Sequence, residues 1–458
     1  MSENFYTPHP LPEFAGNPLV EVLKPLPADV REKAKLLMRK PAYNMEQELS
    51  LDSSLRRLCP GRLKSFMFPM EKHVEMFSKI HSLIVGGYKD RNPLTAQGQQ
   101  SLYQRSTSPS TVTFITGLSG IGKSALVRSI MKAVGNQVID HAEYNGQRCP
   151  YTQILYVMQN VPVNSTPKNM CMTLGSELDN LLQREVVTPI FAKNRTHTDF
   201  IQGLKRSVKH LRVGAIVIDE LQNVNLRRGA NRDEFLAMIS NFRDELGVPI
   251  ILIGTTAAKS ILFSNKNISV QRRFCDGGFE ELEPPKSAAD EDWYTFCKTM
   301  WRYQWVTDPM QFTDEVCELL YTLSQGITGI LLTLFINCQM TAIGGQERID
   351  TNLVRKVYQD QMKPLHAALD ALRSGDPIRM ARFDDLYFSA ANSVRNFANY
   401  RMEEVNNGAL SQTAASESAP KPSSQQRQKR TPKQAAELRD EVTTNAEDYQ
   451  KVEAIFHG

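Results

Sequence analysis

The run Gly117-Leu118-Ser119-Gly120-Ile121-Gly122-Lys123-Ser124 constrains this chain more than any other feature of its sequence. It lies between a β-branched apolar run at 111–116 and a helical pattern at 125–134, so the spacing G-x-x-x-x-G-K-[ST] falls in the strand–loop–helix context that gives it meaning. Glycines let backbone N–H groups curl around a β-phosphate, and the helix opening at Ala125 adds its positive end. Lys123 is placed to reach the β- and γ-phosphates, and the Ser124 hydroxyl to ligate Mg²⁺. Gly117, Ser119, Gly120, Ile121, Gly122, Lys123, Ser124 and Ala125 are therefore candidate nucleotide-binding residues, with ATP and Mg²⁺ as the implied ligands.

Further apolar runs at 215–218 and 249–254, with a weaker one at 153–161, alternate with helical patterns. That alternation predicts an α/β fold whose parallel sheet is covered on both faces. The 215–218 run delivers Asp219-Glu220 at its C-terminal end. Paired carboxylates there suit metal and water positioning, Asp219 in the Mg²⁺ shell and Glu220 polarising the attacking water. The 249–254 run ends in Thr255-Thr256. Thr255 is the better candidate to contact a γ-phosphate or the lytic water, and the competing reading is an ordinary helix cap. Downstream, Arg272-Arg273-Phe274 sets two guanidiniums beside an apolar anchor. An arginine such as Arg273, reaching a γ-phosphate across a subunit boundary, would stabilise transition-state charge, a role that lysine fills poorly.

Around this core the chain changes character. Residues 1–60 are Pro-rich with one short helical pattern at 28–39 and read as a partner-binding arm; 61–284 form the ATPase core; 285–408 show helical patterns at 291–306, 313–324, 330–342 and 351–372 and read as a helical lid. From 409 a Ser/Gln/Pro stretch with Lys421, Arg427, Lys429, Arg430 and Lys433 against Glu417 predicts a disordered basic linker, and 434–458 a short acidic helix suited to tethering a partner. With 54 Lys+Arg against 50 Asp+Glu, any nucleic-acid surface has to be a local patch. The seven cysteines form no C-x-x-C pair, which argues against a zinc ribbon or a disulfide framework and for reduced core thiols. Neither a signal peptide nor a run of ~20 apolar residues is seen, so the expectation is a cytoplasmic protein without a membrane partner.

The order phosphate loop, strand-Asp-Glu, strand-Thr, Arg-Phe, helical lid looks like an AAA+ ATPase. More narrowly the chain resembles the TnsC/TniB regulators of transposition over about residues 65–390. The shared pattern is Gly87-Tyr88-Lys89-Asp90-Arg91-Asn92-Pro93, Gln271-Arg272-Arg273-Phe274, Gly326-Ile327-Thr328-Gly329 and Leu369-Asp370-Ala371-Leu372-Arg373-Ser374-Gly375-Asp376. The resemblance implies Tyr88 and Arg91 near the adenine, and a bacterial, ATP-dependent homo-oligomer, ring or helical filament, assembled on duplex DNA. It further implies a target-selector protein and transposase subunits as partners, and slow, regulatory ATP hydrolysis. One departure is the lid position where many AAA+ proteins carry a sensor arginine, which here reads Gly326-Ile327-Thr328-Gly329. Two other readings stay open: an AAA+ DNA-replication initiator or loader, and a signalling ATPase that oligomerises without DNA.

Two segments are candidates for DNA contact. Thr166, Lys168 and Asn169 stand at a helix start, where hydroxyls, a lysine and free N–H groups meet phosphates, or where a cap simply closes the helix. Lys193, Arg195 and Thr196 form the second, followed by Lys205, Arg206 and Lys209 on one helix, a charge run of the kind that is usually a solvated face. Without a zinc finger or recognition-helix motif, the contacts expected are to backbone, not to bases.

Overall fold

The computed structural model describes residues 5–104, 110–163, 165–192, 197–224, 229–259, 272–274, 276–380 and 382–383. Of the two compact units of the chain, 1–396 and 397–458, the described residues all belong to the first. The linker and acidic helix expected from 409 onward lie outside them.

The centre is a five-stranded sheet of β1 (Val112–Gly117), β4 (Tyr156–Asn160), β5 (Ala215–Asp219), β6 (Ile250–Ile253) and β7 (Phe279–Leu282) in the order β4-β5-β6-β1-β7. All four pairings are parallel, with Phe114 opposite both Leu252 and Phe279, and Asn160 opposite Asp219. Every residue of β1, β5 and β6 is buried, as expected for central strands covered on both faces. Successive side chains alternate between two cores because strand side chains alternate in direction. Phe114, Ile216, Ile218, Ile250 and Leu252 join the helices Pro167–Leu182, His197–His210 and Gly229–Leu246. Ile115, Ala215, Val217, Ile251 and Ile253 join the helices Glu71–Gly87 and Lys123–Val134. Each such Ile, Leu or Phe contributes about 1.5–3 kcal/mol by leaving water.

The weak run at 153–161 resolves into two elements. Its first part ends β3 (Gln147–Ile154), which pairs antiparallel with β2 (Val138–Tyr144) in a separate two-stranded sheet; its second part is β4. Asn145 (φ 49°) and Gly146 (φ 77°) make the β2–β3 turn, since a two-residue hairpin needs positive φ at both positions. The helix expected across 351–372 is interrupted: Thr351–Gln361 stops at Met362 and Lys363–Ser374 restarts with Pro364 in its first turn. Proline has no N–H for the preceding turn, so it begins a helix and does not continue one. These helices, with Glu291–Trp301, Asp314–Ser324 and Thr328–Ala342, close a third core around Trp293, Trp301, Trp305 and Phe335.

Residues ahead of the sheet pack on both layers. Leu19, Leu23 and Leu37 enter the core of the 71–87 helix, while Cys59, Leu63 and Phe66 enter the third core. The pattern at 28–39 is a helix, Val30–Leu37, capped by Asp29, whose carboxylate accepts from Arg31 and Glu32 N–H. Cys59, Cys149, Cys171, Cys297, Cys317 and Cys338 are buried free thiols, and Cys275 lies outside the described residues. Among the described residues no single helix is long and apolar enough to cross a membrane.

Candidate nucleotide-binding site

β1 ends in Gly117, whose φ is +153° and where a Cβ would overlap the Leu282 carbonyl oxygen at the end of β7. Gly117→Ala is therefore expected to lower stability by about 1–3 kcal/mol, read as a fall in thermal midpoint. The loop then turns into the Lys123–Val134 helix through Gly122 (φ 100°), which offers no side-chain cap, so the helix's first N–H groups face the loop without a side-chain acceptor. Lys123 is buried, and its Nζ donates to Gly117 O at 3.0 Å and Leu118 O at 2.9 Å, spanning the mouth of the loop.

Facing it across a cleft of about 200 Å³ are the tips of β5 and β6. Ser119, Gly120, Gly122, Lys123, Ser124 and Ala125 line one side and Asp219, Glu220 and Thr255 the other, residues far apart in sequence that the fold brings together. Gly117 and Ile121, also in the loop, do not line this cleft, and Ile121 is buried. Asp219 is buried and its Oδ1 accepts from Glu220 N–H at 2.8 Å. Glu220 adopts φ 58°, ψ 43°, a left-handed conformation uncommon for a non-glycine residue, which turns the chain sharply where the strand stops. Thr255 is buried, its side chain makes no cap to the following turn, and its Oγ1 has no hydrogen-bond partner. Thr256 Oγ1 is likewise buried and unpartnered, but Thr256 does not line this cleft.

This chemistry fits a nucleoside triphosphate with its cation. Ser124 and Asp219 present the oxygen ligands that a hard divalent ion takes, and the Thr255 hydroxyl is an orphaned polar atom in the cleft wall. Gln222 and Gly254 complete the lining. Gln222 carries no motif signal of its own, and its role emerges only from its partners: Nε2 donates to Glu220 Oε2 and Oε1 accepts from Thr255 N–H at 3.0 Å.

Tyr88 and Arg91 are not at this cleft. The 71–87 helix runs against the strand direction, with Met70 and His73 beside Ile121 at its start and Gly87 against Pro249 at its end. Tyr88 and Arg91 therefore fall at the N-terminal ends of the strands, where Tyr88 OH donates to Arg212 O at 2.8 Å and Arg91 Nη1 to Val213 O at 2.8 Å. What borders the phosphate loop instead is a cavity of about 370 Å³ walled by Met70, His73, Ile121, Pro284, Pro285 and Thr328. Burial pushes the His73 imidazole down to about 4, so this ring is uncharged at neutral pH, while Lys72, Glu283, Lys286, Asp290 and Asp292 also line the cavity. The lid touches the backbone of the loop: Gly329 N–H donates to Gly120 O at 2.9 Å and Thr328 Oγ1 to Ile121 O at 3.3 Å.

Arg273 stands on a short helical stretch whose Phe274 is buried, as its apolar neighbour suggested. It precedes Gly277, whose N–H bonds Val112 O at the start of β1, so it lies a strand's length from its own phosphate loop, roughly 17 Å for six residues. Its side chain is 46% exposed, with Asp244 at 3.9 Å as an ion-pair partner.

Among the DNA candidates, Thr166 caps the Pro167–Leu182 helix by accepting from Asn169 N–H at 3.3 Å, and Lys168 and Asn169 are exposed, with the Lys168 ammonium over the Phe200 ring at 4.7 Å. Lys205 and Lys209 do not form a solvated basic face. Lys205 is buried against Glu245 at 2.7 Å, and Lys209 Nζ donates to Gln104 O. Lys193, Arg195 and Thr196 lie outside the described residues.

A parallel α/β sheet with a phosphate loop after its first strand, acids at the tip of a second and a helical lid beyond fits the α/β core of the AAA+ fold. Residues 105–262 match the family model described as an AAA domain. Comparison with curated proteins finds no match. Among solved structures, the chain is similar to the Walker-type ATPase of Pyrococcus abyssi, at 15% identity and TM-score 0.38 over 58% of this chain and 71% of that one. It is also similar to the ORC2 protein of Aeropyrum pernix, at 15% identity and TM-score 0.35 over 55% and 62%. A third similar structure is domain III of the replication initiation protein DnaA of Thermotoga maritima, at 14% identity and TM-score 0.36 over 65% and 95%.

Proposed function

We propose that this chain is an ATP-hydrolysing AAA+ regulator of transposition that oligomerises on duplex DNA and links a target-site selector to a transposase. The observation that carries the ATPase reading is the convergence of Lys123, Ser124, Asp219, Glu220 and Thr255 on one cleft. In that reading the loop N–H groups and Lys123 hold the β- and γ-phosphates, and the base lies in the cavity beside Met70 and His73. Ser124 and Asp219 hold Mg²⁺, which when bound neutralises phosphate charge. Glu220 takes the proton of the attacking water as its oxygen bonds to the γ-phosphorus and the bond to the β-phosphate oxygen breaks, releasing ADP and phosphate. Thr255 orients that water or the γ-phosphate, and Arg273 reaches the same phosphate in a neighbouring subunit.

Support for transposition comes from the residues shared with the TnsC/TniB pattern, among them Gly326-Ile327-Thr328-Gly329, which here meets the phosphate loop directly. DNA contact is assigned to Thr166, Lys168 and Asn169 together with Lys193, Arg195 and Thr196, all through the DNA backbone. The first of these segments is linked to the acids: Ser165 bridges Val224, Asn223 Nδ2 donates to Val161 O at 2.9 Å, and Val161 N–H donates to Asp219 O at 2.8 Å. A cytoplasmic location and slow turnover belong to the same reading. Sedimentation with and without duplex DNA, in the presence of a non-hydrolysable ATP analogue, tests it. The expected result is ATP-dependent co-sedimentation lost in Lys168→Ala and at high salt, followed by capture of transposase on the assembled complex. Assembly indifferent to DNA would favour a DNA-independent signalling switch, and DNA loading without transposase capture a replication loader.

A further inference from the structure

The turn after β5 holds a carboxamide between the two groups to which the hydrolytic reading gives chemistry. Gln222 Nε2 donates to a carboxylate oxygen of Glu220, and Gln222 Oε1 accepts from the backbone N–H of Thr255, 33 residues downstream, at 3.0 Å. An amide offers donor and acceptor side by side, so one side chain bridges an anion and an N–H that face each other. The turn does not need this bridge to exist. Leu221 and Val224 are buried in the sheet core, and Asn223 Nδ2 is bonded to Val161 O at 2.9 Å. The amide also sits tightly, with its Oε1 3.4 Å from where a Cβ on Gly254 would stand.

We propose that Gln222 is a positioning residue that fixes the Glu220 carboxylate over the cleft and ties it to the tip of β6. The acid that takes the water's proton and the strand end that carries the Thr255 hydroxyl then move as one unit, so a displacement of Thr255 by the γ-phosphate end of the substrate is transmitted to Glu220. A carboxylate on a left-handed residue, with several rotatable bonds beyond it, has no other fixed direction dictated by its backbone. Misplacing a reacting group by about 1 Å costs up to ~10²-fold in rate without touching substrate binding.

This inference rests on Glu220 acting as the base, and the experiment keeps the two apart. In the full chain, ATP affinity is measured with a fluorescent ATP analogue, and kcat and KM in steady state, for Gln222→Ala, Gln222→Glu and Glu220→Gln. Gln222→Ala is expected to lower kcat by roughly 10- to 100-fold with affinity and KM unchanged. Gln222→Glu has the same size and keeps an acceptor for the Thr255 N–H but loses the donor to Glu220, so it should lose kcat equally and serves if the alanine variant folds poorly. Wild-type kcat in Gln222→Ala, a rise in KM alone, or full rescue by Gln222→Glu overturns the proposal. Wild-type kcat in Glu220→Gln instead overturns the assignment of the base on which it stands.

Discussion

Lys123→Ala is expected to weaken ATP binding by roughly 10- to 100-fold, because hydrogen bonds to charged groups contribute about 1.5–3 kcal/mol. With binding goes any assembly that depends on the bound nucleotide. Lys123 is buried at the loop mouth, its ammonium held between the Gly117 and Leu118 carbonyls, so the cation is already at the place where phosphate charge must be met. Alanine leaves the curved backbone without that cation. Glu220→Gln should behave in the opposite way. It keeps the size and the left-handed turn of Glu220 but cannot accept the water's proton, so affinity should be unchanged while turnover falls by roughly 10²–10⁴-fold. Complexes with DNA formed by this variant should accordingly outlive those of the unaltered chain. Titration with a fluorescent ATP analogue and single-turnover hydrolysis separate the two effects, and a Glu220→Gln variant that hydrolyses at the unaltered rate would remove Glu220 from the mechanism.

The contrast between these two residues is legible in the sequence because each follows a central strand, Lys123 across the phosphate loop after β1 and Glu220 directly after β5. β1, β5 and β6 are buried on both faces, which writes them as unbroken β-branched runs, and whatever polar residue follows such a run is delivered to the C-terminal edge of the sheet. β7 escaped for the converse reason. It is an edge strand of four residues, Phe279–Leu282, in which Glu280 meets Lys72 and Lys79 and Glu281 meets Lys259, so its polarity hides it among loops. The resemblance sets Tyr88 and Arg91 by the adenine, whereas the structure sets them against Arg212 and Val213 at the other end of the sheet, because helix direction relative to the sheet is a long-range property. The periodicity of Val74, Phe77 and Ile80 gives a buried stripe, not the end of the sheet at which the stripe stops. Gln222 was silent for a related reason, since one of its two partners lies a whole helix and strand downstream.

Arg273→Ala is expected to bind ATP with unaltered affinity yet to lose hydrolysis by roughly 10³-fold or more, the scale of an arginine finger supplied in trans. Its own phosphate loop is a strand's length away, so in the proposed reading its effect on turnover passes through a neighbouring subunit. The fold does not depend on it: the half-exposed side chain has Asp244 at 3.9 Å, and exposed ion pairs contribute about 0–1 kcal/mol. Phe274, fully buried, anchors the backbone that carries Arg273. Mixing gives the decisive measurement. At an ATP concentration high enough to load the weakened Lys123→Ala pocket and so restore its assembly, a Lys123→Ala subunit keeps its arginine and an Arg273→Ala subunit keeps its pocket, so in an equal, randomly assembled mixture about one interface in four joins an intact pocket to an intact arginine. Hydrolysis should therefore recover to roughly a quarter of the unaltered rate, while either variant alone stays near zero. No recovery, with both proteins folded and assembling, would exclude Arg273 as a residue acting across the interface, and the same mixture made with Arg272→Ala would then identify the arginine that does.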